Sequence, residues 1–355
     1  MKPLLVSLLL FAAAFAQTAA PSLPNQKEDT FVAKNFKFQS GETFPELKLH
    51  YITVGTPHKN AQGDIDNAVL LLHGTTGTGK NYLAPNMASQ LYGPGQPLDA
   101  TKFYLIMPDG LGRGGSSKPS DGLRTKFPHY GYTDVVEGQY ILVTEGLGIK
   151  HLKLIVGTSM GGMQGWMWGE RHPDFMDFIM PIASQPVEVS GRNMLWRRLA
   201  IEAIRDDPDW NNGDYTKQPS HFEHFLPIFQ IMTESPVRLQ EQAPTRAKAN
   251  ELYDGFINNF TKVDANDYLY WVESSYDYNP QPDLDKIKAR LLAVNFADDE
   301  LNPPELGIME REVPRIRNGR FVLVPAGDKT RGHMTLTQAG VWKNYVTELL
   351  NAPAK

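Results

Sequence analysis

The sequence contains no cysteine, which excludes disulfides, thiolate-held metals and a cysteine nucleophile, and leaves stability to the packing of the core. It lacks an excess of either charge: 35 Lys and Arg against 40 Asp and Glu give a formal net charge of -5, with the signs interspersed. That removes the basic footprint expected of a nucleic-acid binder and argues against an acidic tail. There is no internal repeat, no extended low-complexity tract and, past the first residues, no apolar run long enough to span a bilayer. What remains is ordinary for a chain that buries a large core, with 41% hydrophobic and 21% charged residues among 355.

At the N-terminus, Met1-Lys2-Pro3 leads into an apolar run from Leu4 to Ala16 that closes on Ala14-Phe15-Ala16 before Gln17. A basic start, a short apolar segment and an Ala-x-Ala site read as a secretory signal peptide over 1–16, cleaved after Ala16. A periplasmic or secreted protein without stable membrane insertion is expected.

Phe31 to Phe38 and Leu47 to Val54 alternate apolar and polar residues, the pattern of a half-exposed antiparallel pair at the edge of a sheet. The runs Asn67–Leu72, Phe103–Met107, Leu152–Val156, Phe178–Ala183, Arg290–Phe296 and Phe321–Val324 are nearly continuous in apolar residues. Such strands, separated by helical patterns such as Thr133–Gly146, argue for a mostly parallel sheet covered on both faces, an α/β fold. Between Ser184 and Asp285 the strand rhythm stops, and aromatic-rich helical periodicity takes over in segments such as Trp196–Ile204 and Phe222–Phe229. We read 185–285 as a helical cap inserted between core segments 17–184 and 286–355.

The strand Leu152–Val156 breaks at Gly157-Thr158-Ser159-Met160-Gly161-Gly162, and a helix pattern runs from Met160 to Arg171. A Gly-x-Ser-x-Gly turn between strand and helix holds its serine at the apex in a strained conformation, so the flanking residues must be small. Ser159 is therefore the candidate nucleophile. A serine hydroxyl needs a base, and the base a carboxylate to set its tautomer, in the chain order Ser, acid, His. His333 follows the last strand in Arg331-Gly332-His333, and Ala297-Asp298-Asp299-Glu300 follows the strand before it. Sequence chemistry alone does not separate Asp298 from Asp299, and Asp328 is a further candidate. An oxyanion needs two backbone N–H donors, which Met160 and the loop His73-Gly74-Thr75-Thr76-Gly77, through Thr75, are placed to supply.

Three other patterns invite different readings. Gly74–Lys80 has P-loop spacing, but Asn81 stands where Mg²⁺ coordination needs Ser or Thr, so Lys80 reads as the start of a surface helix. Asp109–Gly115 resembles a dinucleotide loop but opens no helix, and reads as a substrate-side loop. His221 and His224 lie on a cap helix, where solvated side chains are the default over a metal site. Neither cofactor nor metal is expected. Met163, Met232, Phe222, Phe225 and Trp271 are candidates for an acyl pocket, with core packing the default for each.

Gly157–Gln164, Asp206–Tyr215, Asp299-Glu300-Leu301-Asn302-Pro303-Pro304 and Gly332-His333 together resemble the homoserine O-acetyltransferase branch of the α/β-hydrolase superfamily, across nearly all of the chain after residue 16. The resemblance implies an α/β-hydrolase fold, an acyl-serine intermediate on Ser159, Asp299 rather than Asp298 as the acid, and homodimers packed through cap helices. The chain also departs from the family. Met334 follows His333 where the acetyltransferases carry an aspartate that helps hold the amino acid, and Ile201 replaces a substrate-associated arginine, with Arg197 and Arg198 one turn earlier. The His73 loop is closer to those of lipases and esterases. The expected function is that of an exported serine hydrolase cleaving a carboxylic ester of a small molecule, with an acyltransferase of the homoserine type as the alternative.

Overall fold

The computed structural model describes residues 23–260 and 263–353, so the proposed signal segment lies outside the described residues. The first strands are β1 (Lys27–Lys37), β2 (Thr43–Val54) and β3 (Ala68–Leu72), followed by helix α1 (Pro85–Leu91) and β4 (Tyr104–Pro108). Helix α2 (Tyr132–Ile141), β5 (Leu152–Thr158), α3 (Met160–Arg171) and β6 (Met176–Ile182) complete the first part of the core. The cap consists of α4 (Gly191–Arg205), α5 (Ser220–Thr233), α6 (Pro236–Gln242), α7 (Arg246–Phe260) and α8 (Ala265–Glu273). The chain then returns through β7 (Arg290–Phe296), α9 (Ile308–Glu312), β8 (Gly319–Val324) and α10 (Ala339–Asn351).

The eight strands form one sheet in the order β1-β2-β4-β3-β5-β6-β7-β8. β1, β2 and β4 pair antiparallel, as the alternating pattern of the first two predicts, and every other pairing is parallel. Successive strand residues point to opposite faces, and β3 divides accordingly. Ala68, Leu70 and Leu72 join the apolar layer that includes Trp166, Trp168 and Val135, whereas Val69 and Leu71 join the one that includes Tyr82, Leu91 and Trp342. Burying one Leu or Val side chain stabilises by about 1.5–3 kcal/mol, so two such layers take the place of cross-links in a chain without cysteine.

The cap has a core of its own. Trp196, Ile204, Phe222, Phe225, Leu226 and Tyr268 pack together with Leu301 of the core domain. Phe222 and Phe225, candidates for an acyl pocket, are spent on this packing. Among the described residues no helix is long and apolar enough to cross a membrane.

Candidate active site

β5 lies between β3 and β6 near the middle of the sheet, and its C-terminal end delivers Ser159 to the sheet edge where α3 starts. Ser159 has φ 53° and ψ -118°, a left-handed conformation that an L-residue adopts only under constraint. The constraint is visible on both sides. The Ser159 amide donates to the Ile182 carbonyl at 2.8 Å, and the Ser159 carbonyl accepts from the Met163 amide at 2.9 Å. A Cβ at Gly157 would lie 2.0 Å from the Gly161 carbonyl oxygen, and one at Gly161 would lie 2.0 Å from that of Leu72. Both positions therefore require glycine, as the elbow motif predicts.

His333, Asp299 and Ser159 form one hydrogen-bonded line. The His333 Nδ1–H donates to Asp299 Oδ2 at 2.7 Å, which leaves Nε2 to accept the Ser159 hydroxyl proton at 2.8 Å. Asp299 is buried, and its other oxygen accepts from the Leu301 and Asn302 amides at 2.8 and 3.1 Å. Burial pushes the Asp299 carboxyl up, but the neighbouring His333 and the hydrogen bonds from His333 and Asn302 outweigh it and hold the group below the usual carboxylate value.

Asp298 and Asp328, left open by the sequence chemistry, go elsewhere. Asp298 Oδ2 accepts from the Thr330 hydroxyl and the Gly332 amide, at 2.8 and 2.9 Å. Asp328 is exposed and offers only its carbonyl, to Arg238. Asn302 was not anticipated. Its Nδ2 reaches Asp299 Oδ2 and the Ala183 carbonyl, both at 3.0 Å, and so orients the acid. Its place three residues after the acid was the only signal in the sequence.

The two expected donors flank the serine. Met160 is the first residue of α3, where backbone N–H groups have no intrahelical acceptor. The His73–Gly77 loop passes so close that a Cβ at Gly74 would lie 3.3 Å from the Ser159 Cβ, and Thr75 and Ser159 line one cavity. His73 braces this loop: its Nδ1–H donates to the Gly74 carbonyl at 2.8 Å and its Nε2 accepts from the Gly110 amide at 2.9 Å. Burial holds the ring down to about 4, against the opposing hydrogen bond to Gly74, so it is neutral and keeps that tautomer at physiological pH. Trp271 stacks on His73 with centroids 5.9 Å apart instead of facing substrate.

The neighbouring glycine-rich loop has the same bracing task rather than a substrate-side one. Asp109 accepts from the Gly79 and Gly115 amides at 2.7 and 2.9 Å. Lys80 pairs with Glu28 at 2.9 Å.

Above Ser159 is a cavity of about 240 Å³, walled on the cap side by Phe229 and Thr233 and on the other by Met87, Met334 and Leu336. Met163 lines a narrow cleft that adjoins this cavity at Thr75, Ser159, Phe229 and His333 and also reaches Arg197. Met232 packs against the cap core. No group of three His, Cys, Asp or Glu able to hold a metal occurs among the described residues.

An elbow serine at the end of a central parallel strand, with its histidine and acid after later strands, defines the class, and a model of the alpha/beta hydrolase fold matches residues 67–328. The chain belongs to the α/β-hydrolase superfamily. Within it, a homoserine O-acetyltransferase of Solidesulfovibrio magneticus is 30% identical over 75% of this chain and 76% of its own length. A probable acyltransferase of Methanothermobacter thermautotrophicus is 26% identical over 90% of this chain and 96% of its own. The solved structure of the acetyl esterase MekB is 25% identical, with a TM-score of 0.79, and the match covers 92% of this chain and 97% of that one. The chain is thus a member of the homoserine O-acetyltransferase-like branch, and an enzyme acting on acyl groups.

Proposed function

We propose that the protein is an exported serine esterase that cleaves small, uncharged acyl esters through an acyl-Ser159 intermediate. The observation that carries this reading is the chemistry of the cavity above Ser159, whose lining includes no Asp, Glu, Lys or Arg. A zwitterionic amino acid entering there would shed water from its ammonium and carboxylate without meeting an opposite charge, which is costly. An acyl chain and a neutral alcohol lose little.

In the first step, Ser159 Oγ attacks the ester carbonyl carbon while His333 Nε2 takes the hydroxyl proton, and Asp299 stabilises the resulting imidazolium. The Met160 and Thr75 N–H groups face the developing oxyanion. Collapse breaks the ester C–O bond, and His333 returns the proton to the leaving alcohol. Water, deprotonated by His333, then attacks the acyl-serine, releasing the acid and restoring the hydroxyl.

A second reading is transfer of the acyl group to the hydroxyl of an amino acid. The names of the relatives weigh toward it more than toward hydrolysis. One structural observation favours it as well: Arg197 is 3% exposed, pairs with no acid among the described residues, and lines the narrow cleft that also holds Ser159. Its guanidinium instead donates to Asn193, Ser275 and the Val272 carbonyl.

The two readings separate on purified protein given 4-nitrophenyl acetate and butyrate in one assay, and acetyl-CoA with homoserine in another. Ester hydrolysis without homoserine acetylation is expected. Rapid acetylation of homoserine with negligible ester hydrolysis would overturn the esterase assignment. Export is checked by intact mass: the mature protein is expected to begin at Gln17, and an unprocessed Met1 chain confined to the cytoplasm rejects it.

A further inference from the structure

The loop that carries His333 is clasped by the cap as well as by the sheet domain. Leaving β8 at Val324, it has no regular secondary structure until the short helical turn that begins at Met334. Three segments converge on it at Gly332. With φ +59°, a Cβ there would lie 3.0 Å from the Ser235 amide nitrogen and 3.2 Å from the Asp298 carbonyl oxygen. The exit of α5, the acid loop and the histidine loop are therefore in van der Waals contact at one residue, immediately before the base.

Beside this junction, Arg331 grips Glu234. Its Nε donates to both carboxylate oxygens, at 3.2 and 3.1 Å, and its Nη2 reaches Oε2 as well. Glu234 is 8% exposed and directly follows α5, whose Phe229 and Thr233 wall the cavity above Ser159. A second clasp runs from Arg238 on α6 to the Asp328 carbonyl in the same loop. On the sheet side, Asp298 holds Thr330 and Gly332, and Asp299 holds His333 itself.

A forked guanidinium on a largely buried carboxylate fixes direction as well as distance, which a point charge does not. An irregular loop has no ladder of its own to do so. We propose that Glu234 and Arg331 are positioning residues for His333: through them the cap sets where Nε2 lies relative to Ser159 Oγ. The helix that walls the substrate cavity then also aligns the base. This inference rests on the acyl-serine reading above, and it extends the cap's task from shaping the pocket to holding the catalytic geometry.

The test compares Glu234→Gln, Arg331→Met and Arg331→Lys in the full-length protein with 4-nitrophenyl acetate. A displacement of about 1 Å at a reacting group costs on the order of 10²-fold, so kcat is expected to fall about 10- to 100-fold in Glu234→Gln and Arg331→Met, with KM changed less than about twofold. The rate at which a fluorophosphonate labels Ser159 should fall in parallel, and Arg331→Lys should keep more activity than Arg331→Met. Independently of any substrate, the downfield proton NMR resonance of His333 Nδ1–H should shift or broaden in Glu234→Gln. Folded Glu234→Gln protein with unchanged kcat, labelling rate and Nδ1–H resonance overturns the proposal. A raised KM with intact kcat does so too, because it reduces the pair to a pocket wall. Should Glu234→Gln fail to fold, the two Arg331 variants carry the same comparison. If the wild-type protein neither hydrolyses ester nor labels, the acyl-serine reading fails, while the resonance still decides whether the pair positions His333.

Discussion

Ser159→Ala is expected to lower kcat for ester cleavage by about 10⁴- to 10⁶-fold, the range found when a nucleophile that acts as a unit with its base is removed. The geometry explains the size of the loss. Without Oγ, the proton acceptor at His333 Nε2, 2.8 Å away, has nothing to activate, and no acyl-enzyme can form. The backbone donors proposed at Met160 and Thr75 are untouched by the change and should leave a residual about 10³- to 10⁴-fold above the uncatalysed reaction. Alanine keeps the Cβ and meets the same φ of 53° that serine already tolerates, so the fold should be retained. Steady-state hydrolysis of 4-nitrophenyl acetate and the intact mass after fluorophosphonate treatment read the effect. Activity within about tenfold of wild type, or a phosphonate adduct on the Ser159→Ala protein, would show that another residue is the nucleophile.

The second large effect is expected at Asp299→Asn, at about 10⁴-fold in kcat. An asparagine fits the same space, but it can present an N–H to His333 Nδ1. The imidazole then carries its proton on Nε2 and cannot accept from Ser159. The carboxylate state matters for stability as well. The Asp299 carboxyl is depressed in the fold: burial raises it, but His333 and Asn302 more than offset that. Its contribution is therefore fully present above the unfolded carboxylate value and is lost as pH falls through the lower folded one, so at neutral pH wild type holds all of it. Asp299→Asn should lose it at every pH, whereas the pH dependence of unfolding by urea should flatten only at the acid end. A variant with kcat within about tenfold of wild type would place the functional acid elsewhere, with Asp298 the next residue to replace.

Much of the architecture was legible because strand burial leaves a direct mark on composition. The five residues of β3 are all buried, and as an apolar run they could be recognised without knowing their neighbours. The alternation in β1 and β2 likewise marked an edge pair. The elbow was legible for a steric reason, since Gly157 and Gly161 have backbone carbonyls where a Cβ would go.

The aromatic cap residues were harder. Phe222, Phe225 and Phe229 share one helix and one chemistry and all join the cap core, yet only Phe229 also walls the cavity. Helical periodicity shows that a face is buried, but not what it is buried against. Trp271 fared similarly, since stacking on His73 depends on how α8 lies over the loop after β3.

The sequence by itself determined the class of the fold, the identity of the elbow serine, and the chain order of serine, acid and histidine, because each rests on local sterics or on a pattern repeated along one segment. Residue chemistry could not say which carboxylate reaches His333; the family resemblance pointed to Asp299, and the tertiary structure shows it there. Asp298 and Asp299 are chemically identical neighbours, and the turn after β7 sends one to the Gly332 amide and the other to the imidazole. The contacts of Asn302 with the Ala183 carbonyl and of Arg331 with Glu234 were decided only by the tertiary structure, since each joins segments that lie far apart in the chain, the second of them across to the cap.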